Sequence, residues 1–316
     1  MSRSAPFVAP RWLPGAHLQT LWPLLRKGAV PPLHRERWQT PDGDFIDLDW
    51  LAAPGDAPLL VLFHGLEGSS RSHYAISIMR EAAALGWGGV VVHFRSCSGE
   101  PNRLLRAYHS GDSDEIDWIL RRLGTARRPV FAVGVSLGGN ALLKWLGERG
   151  TEAEGIVRSA VAVSAPVDLA AGNDALRAGL SRIYTRHFLA TLIPKALAKA
   201  RRFPGALDAG RISRCRSLGE FDDAYTAPVH GFRDAADYYR RSSAAGHLGG
   251  IRVPTLMINS LNDPFLPHRA LPNPGSLPQA VTLETPAHGG HVGFVAGRFP
   301  GENTWLARRI RSFFQP

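Results

Sequence analysis

Ser136 stands in GVSLG (134–138), a G-x-S-x-G pattern in which small residues crowd a hydroxyl. A serine hydroxyl is a weak nucleophile until a base takes its proton, and that base needs an acid to orient it. Downstream the chain offers both. Asp263 lies in NSLNDPFLP (259–267), and His288 and His291 lie in HGGHVGF (288–294). One of the two histidines is the expected base, with His291 favoured and His288 left as a pocket wall, a hydrogen-bond donor or a bystander. Asp263 is the first choice of acid and Asp168 the second. The third requirement is a pair of backbone N–H groups for the developing oxyanion. Leu137, directly after the serine, is one expected donor. Leu66, in HGLEG (64–68), is the other, with Gly65 opening the approach and His64 and Glu67 shaping the loop. These parts together describe acyl transfer from an ester through an acyl-serine, with no cofactor or metal required. The HxxH pair lacks an acidic third ligand at a zincin spacing.

The bare G-x-S-x-G pattern arises often by chance, so its setting decides its weight. Here PVFAVGVS (129–136) reads as a buried strand and LGGNALLKWLGERG (137–150) as a helix, the strand–turn–helix that presents a nucleophile. The same alternation runs through the chain. Residues 36–40 and 45–51 flank PDGD as a hairpin. Apolar runs at 58–63 and 88–94 read as strands buried on both faces, and 157–166, 254–260 and 280–285 read as further strands. Helices are expected over 73–85, 111–123 and 302–314, the second with an acidic first turn and a basic last turn. Such alternation demands a mostly parallel sheet with right-handed crossovers. Asp263 and the two histidines then fall just past strand ends, where such a sheet places its ligands. From 169 to 245 the rhythm gives way to helix-prone, arginine-rich sequence, expected to form a cap or lid. The expected organisation is an N-terminal arm (1–35), a core (36–168 and 246–316) and the cap (169–245), with eight strands in all.

At 316 residues, 44% hydrophobic and 20% charged, the chain is long and apolar enough to bury a core without staples. Disordered, fibrous and disulfide-framework classes are excluded. Cys97 and Cys215, the only cysteines, are expected to be apolar fillers in a reducing compartment. MSRSAPFVAPRW has no apolar core of a signal peptide, and no stretch approaches the ~18 apolar residues of a membrane span. The expected location is the cytoplasm. The net charge of +10 rests on arginine, which recurs in dispersed pairs, among them Arg127–Arg128 and Arg201–Arg202, with only four lysines. That dispersion argues against nucleic acid and leaves contact with an anionic membrane surface open. The apolar stripe Leu180, Ile183, Tyr184, Phe188, Leu189, Leu192 and Ile193 in the cap is rimmed by cations. It suits either an acyl chain at such a surface or the cap's own core.

The motifs GAHLQTLWP (15–23), HGLEGSSRSHY (64–74), HFRSCSGEPNR (93–103), YHSGDSDE (108–115), GVSLGGNALLKWLGE (134–148) and HGGHVGF together resemble the YheT-type α/β-hydrolases. These are bacterial relatives of the animal abhydrolase-domain lipases and phospholipases, and the similarity runs from about residue 12 to residue 312. The resemblance implies the α/β-hydrolase fold and Ser136, Asp263 and His291 as a triad. It also implies hydrolysis of short- to medium-chain or lipid-derived esters, with a small-molecule substrate as partner. Acyl transfer to another acceptor on the same triad is one alternative. A non-catalytic binding module is the other, although it should have lost one of these parts. Oligomeric state is not legible. Within 93–103, Arg95 and Glu100 are expected to pair and brace the loop, or to meet a polar head group. The GAHLQTLWP segment is expected to be an arm packed on the body.

Overall fold

A computed structural model describes residues 6–124 and 128–315; the first five residues of the expected arm, Arg127 of one expected basic pair, and Pro316 lie outside them. After helix α1 (Ala16–Leu25), strands β1 (His34–Gln39) and β2 (Phe45–Leu51) form the hairpin around PDGD. The remaining strands are β3 (Leu59–Phe63), β4 (Gly88–His93), β5 (Val130–Val135), β6 (Ser159–Val163), β7 (Thr255–Ile258) and β8 (Val281–Glu284). They lie in the order β1-β2-β4-β3-β5-β6-β7-β8, antiparallel through β1, β2 and β4 and parallel from β4 to β8. The expected eight-stranded, mostly parallel architecture is therefore the one the chain adopts.

Burial on both faces explains why β3, β4, β5, β6 and β7 read as largely apolar runs, whereas the edge strands β1 and β8 are buried only in part. Along β3, Leu59, Val61 and Phe63 enter one core and Leu60 and Leu62 the other, and β4 splits Val90 and Val92 from Val91 in the same way. Helices α3 (Ser113–Leu123) and α4 (Leu137–Arg149) cover the first face. Helix α2 (His73–Ala84) and the C-terminal helix cover the second. Helix α3 carries Asp114 and Glu115 in its first turn and Arg121 and Arg122 in its last, complementing its dipole.

Between β6 and β7 no strand interrupts a run of helices: α5 (Leu169–Arg177), α6 (Arg182–Arg202), the short α7 (Ala209–Ser213), α8 (Leu218–Phe221) and α9 (Ala227–Val229), and α10 (Ala235–Ser242). The C-terminal helix is α11 (Trp305–Phe314). The apolar stripe of this insertion divides. Leu189, Leu192 and Ile193 pack in a small core of the insertion itself, whereas Leu180 and Ile183 face solvent. No helix among the described residues is long and apolar enough to cross a membrane.

Candidate active site

Strand β5 ends one residue before Ser136, and α4 begins one residue after it. The chain reverses at Ser136 with φ 52° and ψ −117°, a region that residues with a side chain rarely occupy. The reversal brings backbone against backbone. A Cβ on Gly134 would fall 2.5 Å from the Gly138 carbonyl oxygen, and one on Gly138 would fall 2.5 Å from that of Phe63. Both lie far inside contact distance, so the glycines of the pattern are steric requirements of the turn. Gly138→Ala is accordingly expected to lower stability by about 1–3 kcal/mol. Gly55→Ala, at a site with open space around it, should stay within about 0.5 kcal/mol. Denaturant melts of both variants check this.

The loops after β7 and β8 bring the expected partners to Ser136. His291 Nε2 lies 3.0 Å from Ser136 Oγ, and His291 Nδ1 lies 2.9 Å from Asp263 Oδ2. A carboxylate only accepts, so the Nδ1 proton points at Asp263 and the Nε2 lone pair is left for the serine hydroxyl. Asp263 is buried, and its Oδ1 also accepts the Phe265 N–H at 2.8 Å. The Phe265 ring stacks on the imidazole at 4.0 Å between centroids and 15° between planes, limiting its rotation. From the other side, Thr20 Oγ1 of α1 accepts the His291 backbone N–H at 2.9 Å.

The other candidates lie elsewhere. Asp168 caps α5, accepting the Ala171 N–H at 3.1 Å. His288 is exposed and reaches Asn262 at 3.4 Å, a long contact.

The HGLEG loop runs beside the serine, where a Cβ on Gly65 would sit 3.2 Å from Ser136 Cβ. Three of its N–H groups are used. Gly65 donates to Tyr74 Oη at 2.9 Å, Glu67 to Tyr108 Oη at 3.0 Å, and Gly68 to the Gly65 carbonyl at 2.9 Å. Among the described residues, the N–H groups of Leu66 and Leu137 have no partner. His64 shapes the loop from within: its Nε2 accepts the Phe94 N–H, so its Nδ1 carries the proton and donates to the Gly65 carbonyl at 2.7 Å. Burial pushes its pKa down to about 3, keeping the ring neutral. Glu67 accepts from Tyr108 Oη at 2.9 Å and pairs with Lys195 of α6 at 2.7 Å, tying the loop to the helical insertion.

A cavity opens over Ser136, Leu66, Leu137 and His291, and its far wall is built by the insertion, including Leu176, Phe188, Leu192 and Tyr225. Apolar side chains dominate the lining. Among the described residues, no cluster of three or more His, Cys, Asp or Glu side chains could hold a metal ion.

One sequence expectation is overturned. Arg95 does not pair with Glu100. It turns inward to Glu115 at 2.8 Å and Asp42 at 2.8 Å, while exposed Glu100 pairs with Arg37 on β1 at 2.7 Å. The reason is the path of the loop, which directs Arg95 between the hairpin and α3 and leaves Glu100 on the surface. Tyr74, Tyr108, Lys195 and Thr20 were not anticipated as supports of the site. Tyr74 and Tyr108 each sit in a polar motif, HGLEGSSRSHY and YHSGDSDE, and that is the only local signal they carry.

A family model described as the alpha/beta hydrolase fold matches residues 58–297. The chain is 44% identical to "Putative esterase YheT" of Escherichia coli (strain K12), over 98% of this chain and 93% of that one. It is 28% identical to Phospholipase ABHD3 of Homo sapiens, over 90% of this chain and 73% of that one. Among solved structures, the Pyrococcus furiosus esterase Pf2001 superposes with a TM-score of 0.58 at 14% identity, covering 90% of this chain and 92% of that one. At that identity the likeness speaks for the fold alone. The matched span, the near full-length identity and the sheet order agree: the chain belongs to the YheT-type α/β-hydrolases.

Proposed function

We propose that this protein is a carboxylic ester hydrolase that works through an acyl-enzyme on Ser136. The observation that carries the reading is the unbroken row from Ser136 Oγ to His291 Nε2 at 3.0 Å and from His291 Nδ1 to Asp263 at 2.9 Å. The relatives named as an esterase and a phospholipase support ester hydrolysis as the reaction class. His291 removes the serine proton as Oγ attacks the acyl carbon, and Asp263 stabilises the imidazolium that forms. The free N–H groups of Leu66 and Leu137 receive the oxyanion, a contribution on the order of 10²–10³ in turnover for each donor. Protonated His291 gives its proton to the departing alcohol. Water then repeats the sequence on the acyl-serine and releases the acid.

The helical insertion acts as the cap that shapes the substrate. Its apolar wall of Leu176, Phe188 and Leu192 faces the serine across the cavity and receives the acyl chain. The substrate class that follows is esters of short- to medium-chain or lipid-derived acids.

A fluorophosphonate probe, followed by peptide mass spectrometry, tests the nucleophile and should place the adduct on Ser136. Nitrophenyl esters of increasing acyl length test the cavity, with medium-chain esters turning over faster than acetate. An adduct on another residue sinks the assignment of the serine. A flat chain-length profile sinks the acyl role of the cap.

A further inference from the structure

We propose that α1 docks this protein on an anionic lipid surface. The helix is turned inside out. Its polar residues Gln19 and Thr20 are 1% and 7% exposed, whereas Leu18, Leu21, Leu24 and Leu25 are 49%, 39%, 47% and 78% exposed. Positions 18, 21 and 25 follow helical spacing, so the leucines form a stripe rather than scattered single residues. A lone exposed leucine is ordinary; a run of four on one ten-residue helix marks a contact surface.

The inward polar face explains why the helix sits this way round. Gln19 holds the backbone of Val295 in both directions, donating from Nε2 to its carbonyl at 3.3 Å and accepting its N–H at 2.9 Å. Thr20 accepts the His291 N–H. Rolling the leucines inward would break all three bonds on the loop that carries the base. The apolar face is therefore held outward by the hydrogen bonds of the inner one.

The surroundings extend the same surface. Phe299, 70% exposed, packs on Trp12 and Trp22, whose indole N–H groups are already spent on the carbonyls of Gly297 and Pro300. Aromatic bodies with a satisfied polar edge suit the boundary between water and lipid. His17 contacts Tyr184 at 3.0 Å, setting α1 against the start of α6, where Leu180 and Ile183 are also exposed.

Charge selects the occupant. Neither residues 1–35 nor residues 175–207 contain an aspartate or glutamate. Exposed Arg26 and Lys27 follow α1, and exposed Arg182 and Arg186 flank Ile183. A second copy of this chain on the same face would set cation against cation. An anionic lipid surface offers both an apolar layer for the leucines and negative charge for their rim. Docking there would bring the His291 loop to within about one helix diameter, ~10 Å, of the lipid. The proposal concerns binding and stands independently of the ester chemistry.

Cosedimentation of the full chain with phosphatidylcholine vesicles, with and without phosphatidylglycerol, tests it. The expected result is binding to the phosphatidylglycerol vesicles that weakens with added salt, since exposed charges are screened beyond about 8 Å at physiological ionic strength. Replacing Leu21, Leu24 and Leu25 together by serine should cut the bound fraction at least about tenfold with the thermal melt preserved. The matching triple methionine variant should retain binding. The proposal is overturned by a wild-type chain that stays in the supernatant at low salt, or by a serine variant that binds as well as wild type. It is equally overturned if sedimentation velocity shows a wild-type dimer that the serine variant dissociates, because the face is then covered by a second copy.

Discussion

Alanine at position 136 should reduce kcat/KM on nitrophenyl esters by on the order of 10³-fold or more, because the variant keeps the cavity and loses the attacking atom. Among the described residues, Ser136 Oγ hydrogen-bonds only to His291, and the strained backbone of the turn is held by Gly134, Gly138 and the Ser136 N–H bond to the Val163 carbonyl at 2.8 Å. The substitution therefore leaves the fold's own bonds in place, and stability should change by no more than about 0.5 kcal/mol. Steady-state kinetics beside a denaturant melt separates the two quantities. Should the variant retain more than about a tenth of wild-type turnover, far above what removal of a triad nucleophile leaves, another residue is the nucleophile.

His291→Ala should be as damaging as Ser136→Ala, and His288→Ala should cost less than about tenfold. The asymmetry follows from position. His291 bridges Ser136 and Asp263, whereas exposed His288 has only a 3.4 Å contact with Asn262. Combining the serine and His291 substitutions should add little to either alone, since a base without its nucleophile has nothing to activate. Purely additive losses would mean that the two groups act separately. A dead His288 variant beside an active His291 variant would transfer the role of base.

The parallel strands and the helices beside them are legible in the chain because their cause is local. A strand buried on both faces must be apolar at every position, as Leu59–Phe63 and Val130–Val135 are, and an amphipathic helix such as Ser113–Leu123 repeats its stripe every three or four residues. The neighbours expected for Ser136 follow from the same rule, since parallel strands gather their carboxyl-end loops at one edge. Polar pairing is different. Arg95 could have met any of several carboxylates of equal chemistry, and the chain's path, not its local pattern, gives it Glu115 and Asp42 in place of Glu100. The support of the HGLEG loop by Tyr108 spans 41 residues, and the bond from Thr20 to His291 spans 271. Helix α1 is the clearest case. Its periodicity alone would turn Leu18, Leu21 and Leu25 inward, yet Gln19 and Thr20 occupy that side because the backbone of the His291 loop arrives there needing hydrogen bonds. Local sequence sets which faces can be buried; only the assembled chain decides what each face is buried against.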